Sequence, residues 1–323
     1  MKKQKALFSG IILLTVIILA TVAITAGIVA FISSEDTSDI TSETILNTPG
    51  GIEQKLSSQN STVDNTDMPD HVIQVYFFDV GQADSTLLIL PDNKTMLIDA
   101  GTSDTSLQLE SDIRSLGITR IDILVATHPH ADHIGGMSHI INSFETGEIY
   151  MPEVSHTSRT FENLLTIIAV KGLKVFAGTA GTLIDGGDLV SIQIISPDIP
   201  DDKNLNNSSL VIRVDYGEIS FLFMGDAEIP IENTIMSSVY EYSADVIKVG
   251  HHGSSTSSGL EFINGVKPGI AIISVGADNR YNHPSDEIIE RYESLGATVY
   301  RTDIHGTVNV TADKKKLTVF TSK

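Results

Sequence analysis

One seven-residue stretch, Thr127-His128-Pro129-His130-Ala131-Asp132-His133, restricts this chain more than any other. Four of its residues can bind a metal ion. It follows the apolar, β-branched run Ile121 to Ala126 and leads into Ile134-Gly135-Gly136. Pro129 excludes a regular helix through it, and the run before it reads as a buried strand, so the motif is expected as a strand-end loop. In extended chain, alternate residues share a side. His128 and His130 can then grip one cation, while Asp132 and His133, past the turn, face another.

The rest of the composition narrows the chemistry. There is no cysteine, which excludes disulfides, a thiol nucleophile, zinc fingers and iron-sulfur clusters, so any metal must sit on His, Asp, Asn or water. A formal charge of −20 argues against a passive nucleic-acid coat, which needs Lys and Arg to neutralise phosphates. With 323 residues, 41% of them hydrophobic, a large core is within reach.

Three regions follow from the chain order. Lys2, Lys3 and Lys5 precede an uncharged apolar stretch from Ala6 to Ile32, long enough to cross about 30 Å of hydrocarbon. It exceeds the roughly 7 to 15 apolar residues of a signal peptide, so residues 1–32 are expected to be a transmembrane anchor with cytoplasmic lysines. Cleavage near Ala26 to Ala30 would instead release a secreted protein. Residues 33–70 have no aromatics and eight acidic residues against Lys55 alone, the composition of a disordered acidic linker. Residues 71–323 carry −16 and form the expected catalytic domain, placed outside the cytoplasm by the lysines. One apolar span cannot form a channel.

Within 71–323, short β-rich runs alternate with helical patterns. Strands are predicted at 71–79, 85–90, 94–99 and 121–126, then near 174–177, 190–195, 210–216, 219–224, 246–249, 270–275, 298–301, 307–310 and 316–321. Helices are predicted from a cap at Ser103 or Asp104 to about Gly117, and over 136–144, 159–171, 229–237 and 285–295. Hairpins interspersed with helices imply an α/β protein with two mixed sheets covered by helices, a four-layer arrangement.

Two further strand ends offer ligands. Gly225-Asp226 ends the run Ile219 to Met224, and Gly250-His251-His252-Gly253-Ser254 follows Val249. Asp226, with two oxygens, can bridge two cations, and His251 can complete the set holding Asp132 and His133. Two such metals would share a hydroxide nucleophile. Asp99, at the end of another strand, can orient a ligating imidazole.

These segments, together with Phe78-Asp79-Val80-Gly81-Gln82-Ala83-Asp84, Leu97-Ile98-Asp99-Ala100-Gly101 and Tyr281-Asn282-His283-Pro284, resemble the metallo-β-lactamase superfamily. In particular they are similar to the hydrolase domain of ComEC/Rec2-type competence proteins, over about residues 72–320. The resemblance implies an αββα sandwich, one or two Zn²⁺ or Mn²⁺ ions, and hydrolysis of phosphodiesters, DNA among them. The expected protein is therefore a membrane-anchored, extracytoplasmic metal-dependent hydrolase, a ComEC-like nuclease in its most specific form. Its expected partners are a phosphodiester substrate and the membrane, with no obligate protein partner. A phosphodiesterase acting on a cell-wall or small-molecule ester, and a non-catalytic module of a DNA-uptake apparatus, are the alternatives.

One departure concerns the third histidine that many members place between the first loop and the bridging Asp. Asn206-Asn207-Ser208-Ser209 stands there, which makes Asn207 and Ser209 candidate weak ligands or lining residues and favours a looser site or Mn²⁺. That absence, with Asp rather than Cys at 226, counts against a true β-lactamase. Asp132, His252 and His283 are the candidate catalytic residues, either histidine serving as general acid or phosphate contact. Lys248, Arg280 and Arg301 read as solvated or locally paired surface charges, with phosphate contact the alternative, Lys314-Lys315-Lys316 as a hairpin turn, with DNA contact the alternative, and His71, His139, His156 and His305 as structural.

Overall fold

Alternation along the strands decides the architecture. In the computed structural model, which describes residues 71–323, the chain lays down six strands of one sheet, seven of a second, and returns to the first with a final hairpin. The first six are β1 (Ile73–Phe77), β2 (Thr86–Ile89), β3 (Thr95–Ile98), β4 (Arg120–Val125), β5 (Glu145–Met151) and β6 (Val175–Ala177). The second sheet holds β7 (Leu183–Ile184), β8 (Ser191–Ser196), β9 (Val211–Tyr216), β10 (Ile219–Phe223), β11 (Val246–Lys248), β12 (Ile270–Ile273) and β13 (Thr298–Arg301). The hairpin is β14 (Val308–Ala312) and β15 (Leu317–Thr321). The orders are β15-β14-β1-β2-β3-β4-β5-β6 and β13-β12-β11-β10-β9-β8-β7. The expected anchor at 1–32 and linker at 33–70 lie outside the described residues. Among the described residues no helix is long and apolar enough to cross a membrane.

Three apolar layers hold the fold together. In β12, Ile270 and Ile272 point between the sheets, where they join Phe221, Phe223, Val75 and Met96. Ala271 and Ile273 point the other way, into a layer beneath helices that includes Phe262, Ile263, Ile288 and Tyr292. The outer face of the first sheet packs Leu97 and Leu124 against Leu109, Ile140 and Leu164. The covering helices are α1 (Ser106–Ser115), α2 (Ala131–Ile134), α3 (Met137–Ser143) and α4 (Arg159–Lys171) on one side. On the other are α5 (Ile229–Met236), α6 (Leu260–Val266) and α7 (Asp286–Ser294), and the one-turn helix α8 (Thr302–His305) precedes the final hairpin. Each fully buried aliphatic or aromatic side chain contributes about 1.5–3 kcal/mol. This is the expected α/β αββα sandwich.

Parallel pairing places the functional loops side by side. β3 and β4 are parallel, as are β10, β11 and β12. Parallel neighbours end at the same edge of a sheet, so the loops after them meet there. Asp99 thus comes beside Thr127, and Asp226 beside the His251-His252 turn.

Three features differ from the sequence reading. The metal motif is not loop throughout, since His130 caps the one-turn helix Ala131–Ile134. That places Asp132 and His133, expected just past a turn of the chain, on a helical turn. β5, β7, α6 and α8 were not anticipated: the first half of β5 is polar, β7 is two residues long, α8 is a single turn, and α6 spans only seven residues, including Gly265. Helix α1 starts one residue late, with Thr105 at its cap and no side-chain capping bond.

Candidate metal centre

Two buried clusters share Asp226. In the first, His128 Nε2 lies 2.9 Å from His130 Nδ1 and 3.7 Å from Asp226 Oδ2. In the second, His133 Nε2 lies 3.2 Å from Asp226 Oδ1, and His252 Nε2 is 3.4 Å from Asp132 Oδ2 and 3.8 Å from Asp226 Oδ1. Within each cluster the donor atoms lie within 4.8 Å of one another. Asp226 is held by its backbone N–H, which donates to Ser209 Oγ at 3.0 Å. Gly225 before it has φ +53°, and an added Cβ would meet the Ser209 and Thr127 side chains at 3.0 and 3.1 Å. Glycine is therefore what lets the carboxylate turn inward between the sheets.

Each central imidazole is fixed from behind. Asp99 Oδ2 is 2.7 Å from His133 Nδ1, and the same carboxylate accepts hydrogen bonds from the Thr127 backbone and hydroxyl. His252 Nδ1 is 2.9 Å from the Ser274 carbonyl, which can only accept, so Nδ1 carries the proton. Ser209 Oγ and Thr127 Oγ1 approach His128 Nδ1 at 3.3 and 3.2 Å. The opposite nitrogens of His133 and His252 therefore face Asp226. Neither they nor Asp226 Oδ1 has a hydrogen-bond partner, although all three are buried. Buried polar atoms in native proteins are nearly always paired, and three convergent orphans of nitrogen and carboxylate type are the donor set of a divalent cation.

Electrostatics agree with that reading. Burial opposes charge on His133, but Asp226, Asp99 and Asp132 outweigh it and raise its pKa well above the ordinary histidine value. For His252 burial is likewise outweighed, by Asp226 and Asp84 first, and the pKa rises to about 10. Burial would raise Asp226 and Asp132, yet His133 is the strongest opposing influence on each and both are lowered. His128 is pushed well below its usual range by burial and by the charge on His133.

The expected residues are therefore brought together, with single-position changes. His252, not His251, meets Asp132, His133 and Asp226. Both residues have left-handed backbones, with φ 50° and 53°, and the turn they build aims the second ring inward. His251 stands at the lip, with Nε2 3.8 Å from Asp226 Oδ2 and Nδ1 3.2 Å from Thr256 Oγ1. Asn207 turns away, its Oδ1 accepting from the Glu228 backbone at 3.3 Å. Asn206 faces the cleft instead, its buried Oδ1 unpaired and its Nδ2 3.4 Å from His251 Nε2. Ser209 supports His128 and Asp226 from behind rather than lining the opening.

The clusters open into a cleft of about 400 Å³ bordered by Gln82, His130, Asp132, His156, Tyr281 and His283. His156, read as structural, thus stands near the site, its ring 6.1 Å from His130. His283 is half-buried, with its ring 5.5 Å from His251 and stacked on Tyr281. Burial, reinforced by the charges on His251 and His252, lowers its pKa to about 4. Lys248 is not a surface charge, being 3% exposed and 2.6 Å from Asp84. Arg301 is paired with Asp303 at 2.6 Å. His139 pairs with Glu110 at 2.6 Å, remote from the cleft lining. Sequence reasoning quoted Asp84 without assigning it a role. The signal available was a carboxylate five residues past Asp79, closing the otherwise uncharged run Val80-Gly81-Gln82-Ala83.

The sequence model of the Metallo-beta-lactamase superfamily matches residues 78–277. ComE operon protein 3 of Bacillus subtilis is 31% identical, over 73% of this chain and 32% of its own length. Recombination protein 2 of Haemophilus influenzae is 30% identical, over 76% and 30%. Competence protein ComA of Neisseria gonorrhoeae is 28% identical, over 74% and 32%. The chain thus spans about a third of the length of these curated relatives.

Proposed function

The chain belongs to the metallo-beta-lactamase superfamily, and on that premise we propose that it is a metal-dependent hydrolase whose substrate is a phosphodiester, with DNA as the most specific case. The observation that carries the reading is the pair of clusters joined through Asp226, with the buried His133 Nε2, His252 Nε2 and Asp226 Oδ1 of the second left unpaired. His128, His130 and Asp226 would hold one cation; Asp132, His133, His252 and Asp226 would hold the other. Zn²⁺ or Mn²⁺ bound there lowers the pKa of water and neutralises charge on a phosphoryl group.

The chain's own groups perform the rest. Asp99 and the Ser274 carbonyl fix the orientation of His133 and His252, so that neither ring must reorganise. Asp132, whose side chain is about one-third exposed, marks where the buried cluster meets solvent. His283, neutral at pH 7, can donate a hydrogen bond to a phosphoryl oxygen or leaving group from the cleft wall. The competence and recombination names of the relatives support a nucleic-acid substrate. The lysine-flanked apolar stretch 6–32 supports a membrane-tethered, extracytoplasmic setting, which protease accessibility in intact cells tests.

One observation favours a smaller ester. Among the described residues no Lys or Arg lines the cleft, and residues 71–323 carry −16, so a long polyanion gains little beyond the clusters. Purified protein loaded with Mn²⁺ or Zn²⁺ is expected to hydrolyse bis-p-nitrophenyl phosphate, and Asp226→Ala and Asp132→Ala to lose that activity. A wild type inactive on this diester and on single-stranded DNA, binding less than one metal per chain, defeats the proposal. If DNA is cleaved with an affinity that falls steeply with salt, the nuclease reading stands over the small-ester one.

A further inference from the structure

Lys248 and Asp84 form an ion pair at 2.6 Å with side chains 4% and 5% exposed. Such a pair is costly, because both charges leave water and their attraction seldom repays the desolvation. Its placement suggests what it does. Asp84 lies on the connection between β1 and β2 of the first sheet, whereas Lys248 is the last residue of β11 in the second. The pair therefore joins the two sheets directly behind the metal centre.

Asp84 also touches the groups around it. Its Oδ1 lies 3.4 Å from His252 Nδ1 and has no hydrogen-bond partner of its own, and its Oδ2 lies 3.9 Å from His133 Nδ1. Its backbone N–H donates to the Asp132 carbonyl at 3.1 Å, and its carbonyl accepts from Gly101 at 2.8 Å. Lys248 in turn donates to the Val249 carbonyl at 2.8 Å, at the start of the turn that carries His252. One residue thus contacts the segments bearing Asp132, His133 and His252.

We propose that Asp84 is a positioning residue for the Asp132, His133 and His252 cluster, and that Lys248, 2.6 Å away on the opposite sheet, is the counter-charge that holds its carboxylate in place. This rests on the metal-dependent reading above. A carboxylate anchored by an ammonium from the opposite sheet sets the distance between His252 and the other two donors. Ser274 orients the His252 ring but, lying on the same sheet, cannot set that distance.

The test uses the full chain and Co²⁺, whose visible absorption reports ligand geometry. Asp84→Asn is expected to weaken Co²⁺ binding about 10- to 100-fold and to alter the absorption bands of the bound ion. Lys248→Met, which strands a buried carboxylate, is expected to do at least as much. The double variant Asp84→Asn/Lys248→Met, with neither charge left buried, is expected to fold and to bind Co²⁺ no worse than the poorer single variant. In metal-free protein, peptides covering residues 249–257 should exchange amide hydrogens faster in all three variants. A folded double variant with wild-type Co²⁺ affinity and absorption overturns the proposal, as does unchanged exchange. If the wild type binds no Co²⁺, the metal-dependent reading fails first, and the exchange data still decide whether the pair fixes the His252 turn.

Discussion

Asp99 Oδ2 and His133 Nδ1 sit 2.7 Å apart, both residues almost wholly buried, and that contact points the other ring nitrogen of His133 at Asp226. Asp99 holds this place with φ +58°, a conformation that few residues other than glycine adopt. Backbone strain is thus tolerated where it aims a carboxylate at an imidazole.

Asp99→Ala is accordingly expected to lower metal affinity by about 10- to 100-fold. Competition with a chromophoric chelator measures it. Asp99→Asn, which keeps the shape but presents a weaker acceptor, should fall between.

Gly225→Ala tests the backbone beneath Asp226. The alanine must adopt φ near +53° and press on Ser209 and Thr127, so the variant should lose about 1–2 kcal/mol. Denaturant unfolding gives the stability loss. Metal titration of the folded fraction should show weaker binding at both clusters, because they share the carboxylate that Gly225 places.

Protons and metal compete for the same atoms. The pKa of His252 rises from near 6.5 to about 10 in the metal-free fold, and that of His133 rises as well. The stability they give the metal-free chain is fully present below about pH 6.5 and is lost as pH rises through about 10. Metal-free protein should therefore melt at progressively lower temperature between pH 7 and 10. Metal binding requires neutral imidazoles, so affinity should rise across that interval and the metal-loaded protein should lose less stability over it. Thermal melts with and without EDTA decide this; a metal-free melting temperature that is flat from pH 7 to 10 contradicts it.

His283, whose pKa is lowered to about 4, is uncharged at pH 7. A neutral ring serves as a hydrogen-bond donor rather than as a ready acid. His283→Gln should therefore retain more turnover than His283→Ala, and neither should displace the pH-rate profile between 6 and 9. Steady-state kinetics on bis-p-nitrophenyl phosphate give both comparisons.

The sandwich was largely legible because strands such as Ile270–Ile273 and Ile219–Phe223 combine β-branched or aromatic residues with clear boundaries. β5 was less visible, since Glu145, Thr146, Gly147 and Glu148 carry little apolar signal although parallel pairing with β4 holds them. The clustering of His128, His130, Asp132 and His133 was legible for a similar reason, because the four are local in sequence. Choices between neighbours were not legible. Which of His251 and His252 turns inward, and which of Asn206 and Asn207 faces the cleft, depends on backbone torsions that pattern does not encode. Lys248 looked like a surface charge because its partner, Asp84, is distant in sequence and belongs to the other sheet.

The absence of Lys and Arg from the cleft wall, among the described residues, has a last consequence for how the protein meets its substrate. Among the described residues, an oxyanion in that cleft meets carboxylates, amides and rings, with the nearest guanidinium, Arg280 over the Tyr281 ring, in the adjoining pocket. Docking would then depend on the positive charge held by the clusters themselves, as a bound ion or, without one, on the His133 and His252 rings.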